Sequence, residues 1–470
     1  MCWRARAFAI LVCAAVFTSV FVQGFAPSIA FVILSQPSDY DTSLALSLRD
    51  SLTAQANDTN IRIDVFVSHI DFSDVKGAWA VVPLFKRLRS RLQNSSVDWL
   101  FLCEHSTVVN LTALVNFLGG YNPAELRYIG RALIDESPTI IHHFFGYDRP
   151  PESRFLYADF AGGVAISSAL VEHIERLSAE KKPTDFAIDP KHELSRMLFD
   201  SAGVSLVDAP KFCLLRNESE CITRFTEPNY ENCSGGVTNE DVFFAVKTFS
   251  GYHKTRVVVV KRTWAKTVKY IEYFSDTTDH YVPTIDLGIN NTQRGHCSKT
   301  LAILKHFLQH DEVTHSRWLV VVDDDTLLSA PRLYRLLSCY SPQKKLIIGE
   351  RYGYGFSADG HSGYDYPTGG AGMIFSRSAV RLLVSSCHCP HIDSPDDMII
   401  GMCARQQSIP ILHSGSFHQA RPIDYSSLYL QRVLPISFHK FDEIDPYEVY
   451  MQRLHDVDAV PASRPLHFEL

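Results

Sequence analysis

The chain lacks a surplus of positive charge: 45 Lys and Arg stand against 52 Asp and Glu, a formal net charge of −7. That excludes a broad basic face for nucleic acid. Glycine and proline, 24 and 23 in 470 residues, are near average usage, so collagen-like and disordered classes fall away. Only one apolar stretch approaches membrane-spanning length, and it lies at the extreme N-terminus. What remains is a globular chain, 46% hydrophobic, with length for two or three domains.

That N-terminal stretch runs uncharged from Ala7 to about Phe25 behind Arg4 and Arg6, and the next charge is Asp39. Residues 1–28 are therefore expected to be a secretory leader, either cleaved near Val22-Gln23-Gly24 or retained as a type II signal anchor. Any membrane contact is expected through this segment alone. Six N-x-S/T sequons, at Asn57, Asn94, Asn110, Asn217, Asn232 and Asn290, agree with a secretory route. Nine cysteines follow the leader, an odd number that fits disulfides plus one free thiol. Cys387-His388-Cys389 has no second pair at finger spacing, which favours disulfides over zinc. The tail, residues 456–470, ends in His467-Phe468-Glu469-Leu470, which is similar to a lumenal retrieval signal and points to the endoplasmic reticulum.

An internal repeat organises the rest. Trp99 to Cys103, then Glu104-His105-Ser106-Thr107, runs parallel to Trp318 to Val322, then Asp323-Asp324-Asp325-Thr326. Ala161-Gly162-Gly163 is matched by Gly370-Ala371-Gly372, and Asp189-Pro190 by Ser394-Pro395. The offsets of 219, 209 and 205 keep the same order, which marks a duplication. Each unbroken apolar run suits a strand buried on both faces under helices. The expected fold is α/β, with two tandem Rossmann-like units at 29–235 and 236–455. Each half is expected to open on a strand, at Ile29–Leu34 and Val257–Val260. Helices are expected near Thr42–Gln55, Lys299–His310 and Ser376–Ser385, with a linker from Asn217 to Thr238.

The chemistry lies in the second half. Asp323, Asp324 and Asp325 end a buried strand, and adjacent carboxylates repel unless a cation binds. Hard oxygen ligands suit Mn²⁺ or Mg²⁺. A haloacid phosphatase would need Thr where Leu327 stands, which removes that reading. Thr368-Gly369-Gly370-Ala371-Gly372 allows close approach of backbone to a ligand, and no Gly-Lys-Ser/Thr follows it to make a P-loop. Pro395-Asp396-Asp397 sets carboxylates at a helix start, either as a cap or as a general base.

Trp318 to Asp325, Thr368 to Gly372, Pro395 to Asp397 and Phe438-His439, in that order, resemble the fringe-type β-1,3-glycosyltransferases. The resemblance covers about 240 to 445 and implies a GT-A fold, with the first half a degenerate GT-A-like copy. It further implies an inverting hexosyltransferase. Asp325 would hold the cation, Asp323, Asp324 and Gly370 would line the donor pocket, and Asp276 would lie at its uridine end. Asp397 would be the base, with Asp396 as the neighbouring alternative. The family shows Phe-His-x-His where this chain has Phe438-His439-Lys440-Phe441. The resemblance then leaves His439, His413 or His418 as the metal histidine, or a cation with one fewer protein ligand. Within the family the chain is similar to members that extend O-linked fucose on thrombospondin type 1 repeats with glucose from UDP-glucose. Transfer of galactose or N-acetylglucosamine stays open as an alternative. A non-catalytic lumenal lectin or chaperone is the reading of another class, which the intact second-half acids oppose.

Overall fold

The computed structural model describes residues 26–92, 96–135, 155–180, 186–230, 233–441 and 444–456. The expected leader up to residue 25 and the tail from residue 457 lie outside the described residues. Among those described, no helix is long and apolar enough to cross a membrane.

The first half contributes β1 (Ile29–Leu34), β2 (Ile63–Val67), β3 (Trp99–Glu104), β4 (Thr107–Val109), β5 (Tyr128–Gly130), β6 (Val164–Ser167), β7 (Phe186–Ala187), β8 (Val207–Asp208) and β9 (Thr223–Phe225). The second contributes β10 (Val242–Lys247), β11 (Tyr270–Ser275), β12 (Thr284–Asp286), β13 (Trp318–Asp323), β14 (Thr326–Leu328), β15 (Ile347–Gly349), β16 (Arg351–Tyr354), β17 (Tyr364–Pro367), β18 (Met373–Ser376), β19 (Ile411–His413) and β20 (Ser437–His439). The first sheet runs β8-β5-β6-β3-β1-β2 and the second β12-β11-β10-β13-β18-β15-β19. Apart from the extra edge strand β12, the two orders match strand for strand. In each, one antiparallel strand, β6 or β18, is inserted beside the strand that ends in the polar triplet. This is the GT-A layering in tandem.

The register repeats as well. Trp99 lies opposite Ser167 as Trp318 lies opposite Ser376, and Tyr128 opposite Ile166 as Ile347 opposite Phe375. Apolar strands explain this fidelity. Trp318, Leu319, Val320, Val321 and Val322 are all fully buried, because helices cover both faces of the sheet. Each such side chain contributes about 1.5–3 kcal/mol, so the pattern persists as long as the fold does.

Three helices place chemistry: α1 (Arg256–Arg262), α2 (Cys297–Gln309) and α3 (Asp396–Gln406). The expected opening strand at Val257–Val260 is in fact α1, and the second sheet opens on β10. Four consecutive valines suit a strand, but Val257 and Val260 share one helix face and are the two that become buried. The stretch read as a linker is tied down by β9, by the Cys233–Cys339 disulfide and by a Gly235 N–H bond to the Ser338 carbonyl. Cys387 and Cys389 pair with Cys403 and Cys297, and Cys103 is the buried free thiol.

The halves also meet directly. The Arg432 guanidinium reaches Asp159 at 2.9 Å with both groups buried, and it lies 4.6 Å over the Phe225 ring. Strand β7 of the first half extends the β16–β17 hairpin of the second.

Candidate active site

The site lies at the carboxyl ends of β10, β11 and β13, where open α/β sheets present a crevice. Parallel register sets Lys247 opposite Asp323, with Nζ 3.0 Å from the carboxylate. The same Nζ lies 2.6 Å from Asp396 in the first turn of α3, and Thr300 on α2 donates to that carboxylate at 2.6 Å. Burial disfavours the lysine charge, but Asp323 and Asp396 hold its proton above the ordinary range. Sequence reasoning missed Lys247. The available signal was a lysine closing an apolar strand beside the acidic one.

Asp396 and Asp397 are neighbours with opposite environments. Burial alone would raise Asp396, but Lys247 and Thr300 hold it below the usual carboxylate range. Asp397 makes no such pair. Burial, then the charge of Asp396, pushes its carboxyl up to about 7, against a bond donated by the Met398 N–H. Two carboxyls whose environments push them apart mark an acid–base division of labour.

The triplet separates three ways. Asp323 faces Lys247. Asp324 is buried, accepts from Thr248 Oγ1 at 2.7 Å and from Arg256 at 3.4 Å, and is pushed up to about 6 by burial. Asp325 lies 2.9 Å from Arg256 and 3.0 Å from His439 Nε2. Burial opposes its charge, while His439 and Arg256 hold it low. The long-range antiparallel pair β14–β20 delivers that histidine, setting Thr326 opposite His439. His439 Nδ1 sits 3.0 Å from the Gln419 carbonyl, which turns Nε2 toward the acids. Burial opposes a charge on the imidazole, and Asp325 raises its pKa.

Asp323, Asp325 and His439 offer ligand atoms within 4.8 Å of one another. Two carboxylate oxygens and one imidazole nitrogen fit Mn²⁺, or Mg²⁺ less well because of the nitrogen. Gly370 serves this corner: a Cβ there would fall 2.3 Å from the His439 ring. His413 and His418 are elsewhere. His413 Nδ1 accepts from the Arg351 N–H, and His418 stacks on Phe438 with Nδ1 at the Ser437 carbonyl. Asp276 follows β11 and accepts from the Ser250 N–H at 2.8 Å. Burial opposes its charge, but that bond and the Ser275 and Ser250 hydroxyls hold its carboxyl low.

Corresponding positions in the first half carry Glu104, His105 and Ser106, and Phe225 stands opposite Thr107 where His439 stands opposite Thr326. This edge closes instead over a cavity of about 240 Å³, capped by Glu350, Arg351, Tyr425 and Tyr429 of the second half.

The tandem α/β fold and its carboxylate site belong to a hexosyltransferase, the class that the family and the relatives define. The fringe-like family model matches residues 81–190 and 237–459, and the chain belongs to that family. It is 44% identical to a β-1,3-glucosyltransferase of Mus musculus over 427 residues, covering 90% of this chain and 86% of the relative. The Homo sapiens β-1,3-glucosyltransferase is 43% identical over 439 residues, covering 93% and 86%. The β-1,3-N-acetylglucosaminyltransferase lunatic fringe of Homo sapiens is 28% identical over 259 residues, covering 49% and 67%.

Proposed function

We propose that the chain transfers glucose from UDP-glucose, with inversion, to O-linked fucose on thrombospondin type 1 repeats. The observation that carries the reaction type is the half-buried Asp397 carboxyl at the start of α3, beside Asp396, which Lys247 and Thr300 engage at 2.6 Å each. The identity to two β-1,3-glucosyltransferases supports the donor, and the resemblance within the family supports the acceptor.

Asp397 takes the proton of the acceptor hydroxyl as that oxygen bonds to the anomeric carbon. The bond to the UDP oxygen breaks on the opposite face, so an α-linked donor gives a β-linked product. Lys247 keeps Asp396 ionised and paired, which leaves Asp397 as the group free to accept a proton. Arg256 holds Asp324 and Asp325 in place. Asp323, Asp325 and His439 would hold a divalent cation, which would supply Lewis-acid neutralisation of the diphosphate. Asp276 is suited to the uridine end, because its carboxylate is fixed by the Ser250 loop.

We further propose the endoplasmic reticulum lumen as the compartment, with the leader either cleaved or retained. Four disulfides support an oxidising compartment. The deciding experiment is a transfer assay with several UDP-sugars and a fucosylated thrombospondin repeat. UDP-glucose should be the preferred donor, and preference for UDP-galactose or UDP-N-acetylglucosamine would replace the donor assignment.

A further inference from the structure

One three-stranded sheet is built from both halves. In the antiparallel order β17-β16-β7, Tyr354 lies opposite Tyr364 on one side and Phe186 on the other, while Tyr352 lies opposite Tyr366. Residues two apart on a strand and directly opposite across strands share a face. One face therefore carries five aromatic rings. Centroids step from Tyr366 to Tyr364 at 6.5 Å, to Tyr354 at 5.8 Å and to Phe186 at 5.1 Å. Exposure grows along the same line: Tyr366 is 5% exposed, Tyr364 and Tyr354 are half-buried, and Phe186 is 46% exposed.

The buried end of this strip adjoins Asp397. Helix α3 packs on β17 so closely that a Cβ at Gly401 would meet the Asp365 carbonyl and the Tyr366 Cβ at 2.5 Å. Tyr366, Tyr364 and Tyr352 all feel the charge of Asp397. The opposite face is held by the first half. Trp79 Nε1 donates to Asp365 at 2.7 Å, and the Arg351 guanidinium lies 4.5 Å over the Trp79 ring.

We propose that this sheet is the acceptor platform, and that Phe186, Tyr354 and Tyr364 seat the polypeptide that carries the acceptor sugar. The proposal rests on the reading of Asp397 as the base. A sugar whose hydroxyl reaches Asp397 covers the inner end of the strip. The outer rings then lie beneath whatever the sugar is attached to. Exposed aromatics on an edge strand are a liability unless a partner covers them. Large rigid rings give contact area at little entropic cost, which is why they dominate protein interfaces. The first half, without its own chemistry, supplies the outermost ring and the support behind the sheet.

The test uses the full chain with two acceptors, a folded fucosylated repeat and a small fucoside. Phe186→Ala together with Tyr354→Ala should raise KM for the folded repeat by about tenfold or more, the scale of an interface hot spot. Kinetics with the small fucoside should not change. Phe186→Tyr alone, which keeps the ring, should retain the wild-type KM. Equal losses on both acceptors, or no loss on either, would overturn the platform. Direct binding of the folded repeat to Asp397→Asn, with and without Phe186→Ala, separates the two readings. Binding that depends on Phe186 without any wild-type transfer would remove the reaction and leave the platform. Transfer that ignores Phe186 would do the reverse.

Discussion

Set side by side, the two halves share a strand order and a pairing register but not a site. Trp99 and Trp318 occupy equivalent positions, both fully buried, and both strands pair antiparallel with the same offset. Beyond the strand ends the acid triplet is not kept. Where the second half has Asp323 and Asp325 with His439 delivered by a long-range antiparallel strand, the first has Glu104 and Ser106 with Phe225 on the matching strand. The sheet is held by apolar area summed over dozens of residues, so single changes there cost stability. The site is held by a few loop residues, so changes there cost only the reaction. A duplicated chain can therefore lose chemistry from one copy while keeping its fold.

The most damaging way to break this contrast is to write the first half into the second. Asp325→Ser with His439→Phe copies Ser106 and Phe225 and removes two of three candidate cation ligands. Transfer should be abolished, and added Mn²⁺ should not restore it, while wild type stopped by EDTA should recover. Circular dichroism should show the fold unchanged. Full turnover in chelator would sink the cation assignment.

Asp397→Asn comes next. UDP-sugar binding should survive, and kcat should fall by roughly 10²–10⁴, the usual contribution of a general base. The pH profile sharpens the point. The base must be ionised to work, so wild-type kcat should fall as pH drops below about 7, where burial and the Asp396 charge hold the proton on. Asp396→Asn removes a negative neighbour and leaves Lys247 nearby, so this acid limb should move to lower pH. A limb that stays near its wild-type position would assign the titration to another group.

Much of this was legible in the sequence, because buried strands write themselves as apolar runs. The matched runs after Trp99 and Trp318 revealed the duplication and its register. Asp323 to Asp325 and Asp396-Asp397 drew attention because carboxylates at a strand end or helix start stand out, whereas His439 was singled out only by the family resemblance. Other features depended on tertiary pairing. Lys247 becomes meaningful only when parallel register sets it against Asp323 and α3 brings Asp396 to it. The run Val257–Val260 beside Arg256 read as a strand, because helix periodicity in seven residues is too short to read. Phe186 is unremarkable until β7 pairs across the halves.

A smaller effect is expected at the contact between the halves. Asp159→Ala leaves the Arg432 guanidinium buried without its carboxylate, which costs about 3–5 kcal/mol of stability. The urea midpoint should fall accordingly. Transfer per folded molecule to a small fucoside should hold, because neither residue adjoins Asp397 or the cation ligands. A variant as stable as wild type would show that the buried pair contributes little to holding the halves together.

The smallest effect belongs to the spent site itself. Glu104→Ala with His105→Ala alters two positions equivalent to Asp323 and Asp324, at the wall of the cavity between the halves. His105 Nε2 lies 3.5 Å from Asp41, whose carboxylate also pairs with the Ser38 hydroxyl, so the loss of one imidazole leaves that acid with a partner. Stability should therefore change little. His192, at the place of the base, is buried with its ring against Phe155 and Tyr157, and Lys191, at the place of Asp396, is paired with Asp189 at 3.1 Å. An imidazole packed among aromatic rings replaces the carboxylate of the base, and among the described residues the first half has no candidate group of cation ligands. Transfer to both the small fucoside and the folded repeat should match wild type within error. The isolated variant should also bind UDP-glucose and Mn²⁺ with the stoichiometry of the wild type, one site per chain by calorimetry. Two sites in the wild type, falling to one in this variant, would mean that the first half still binds donor.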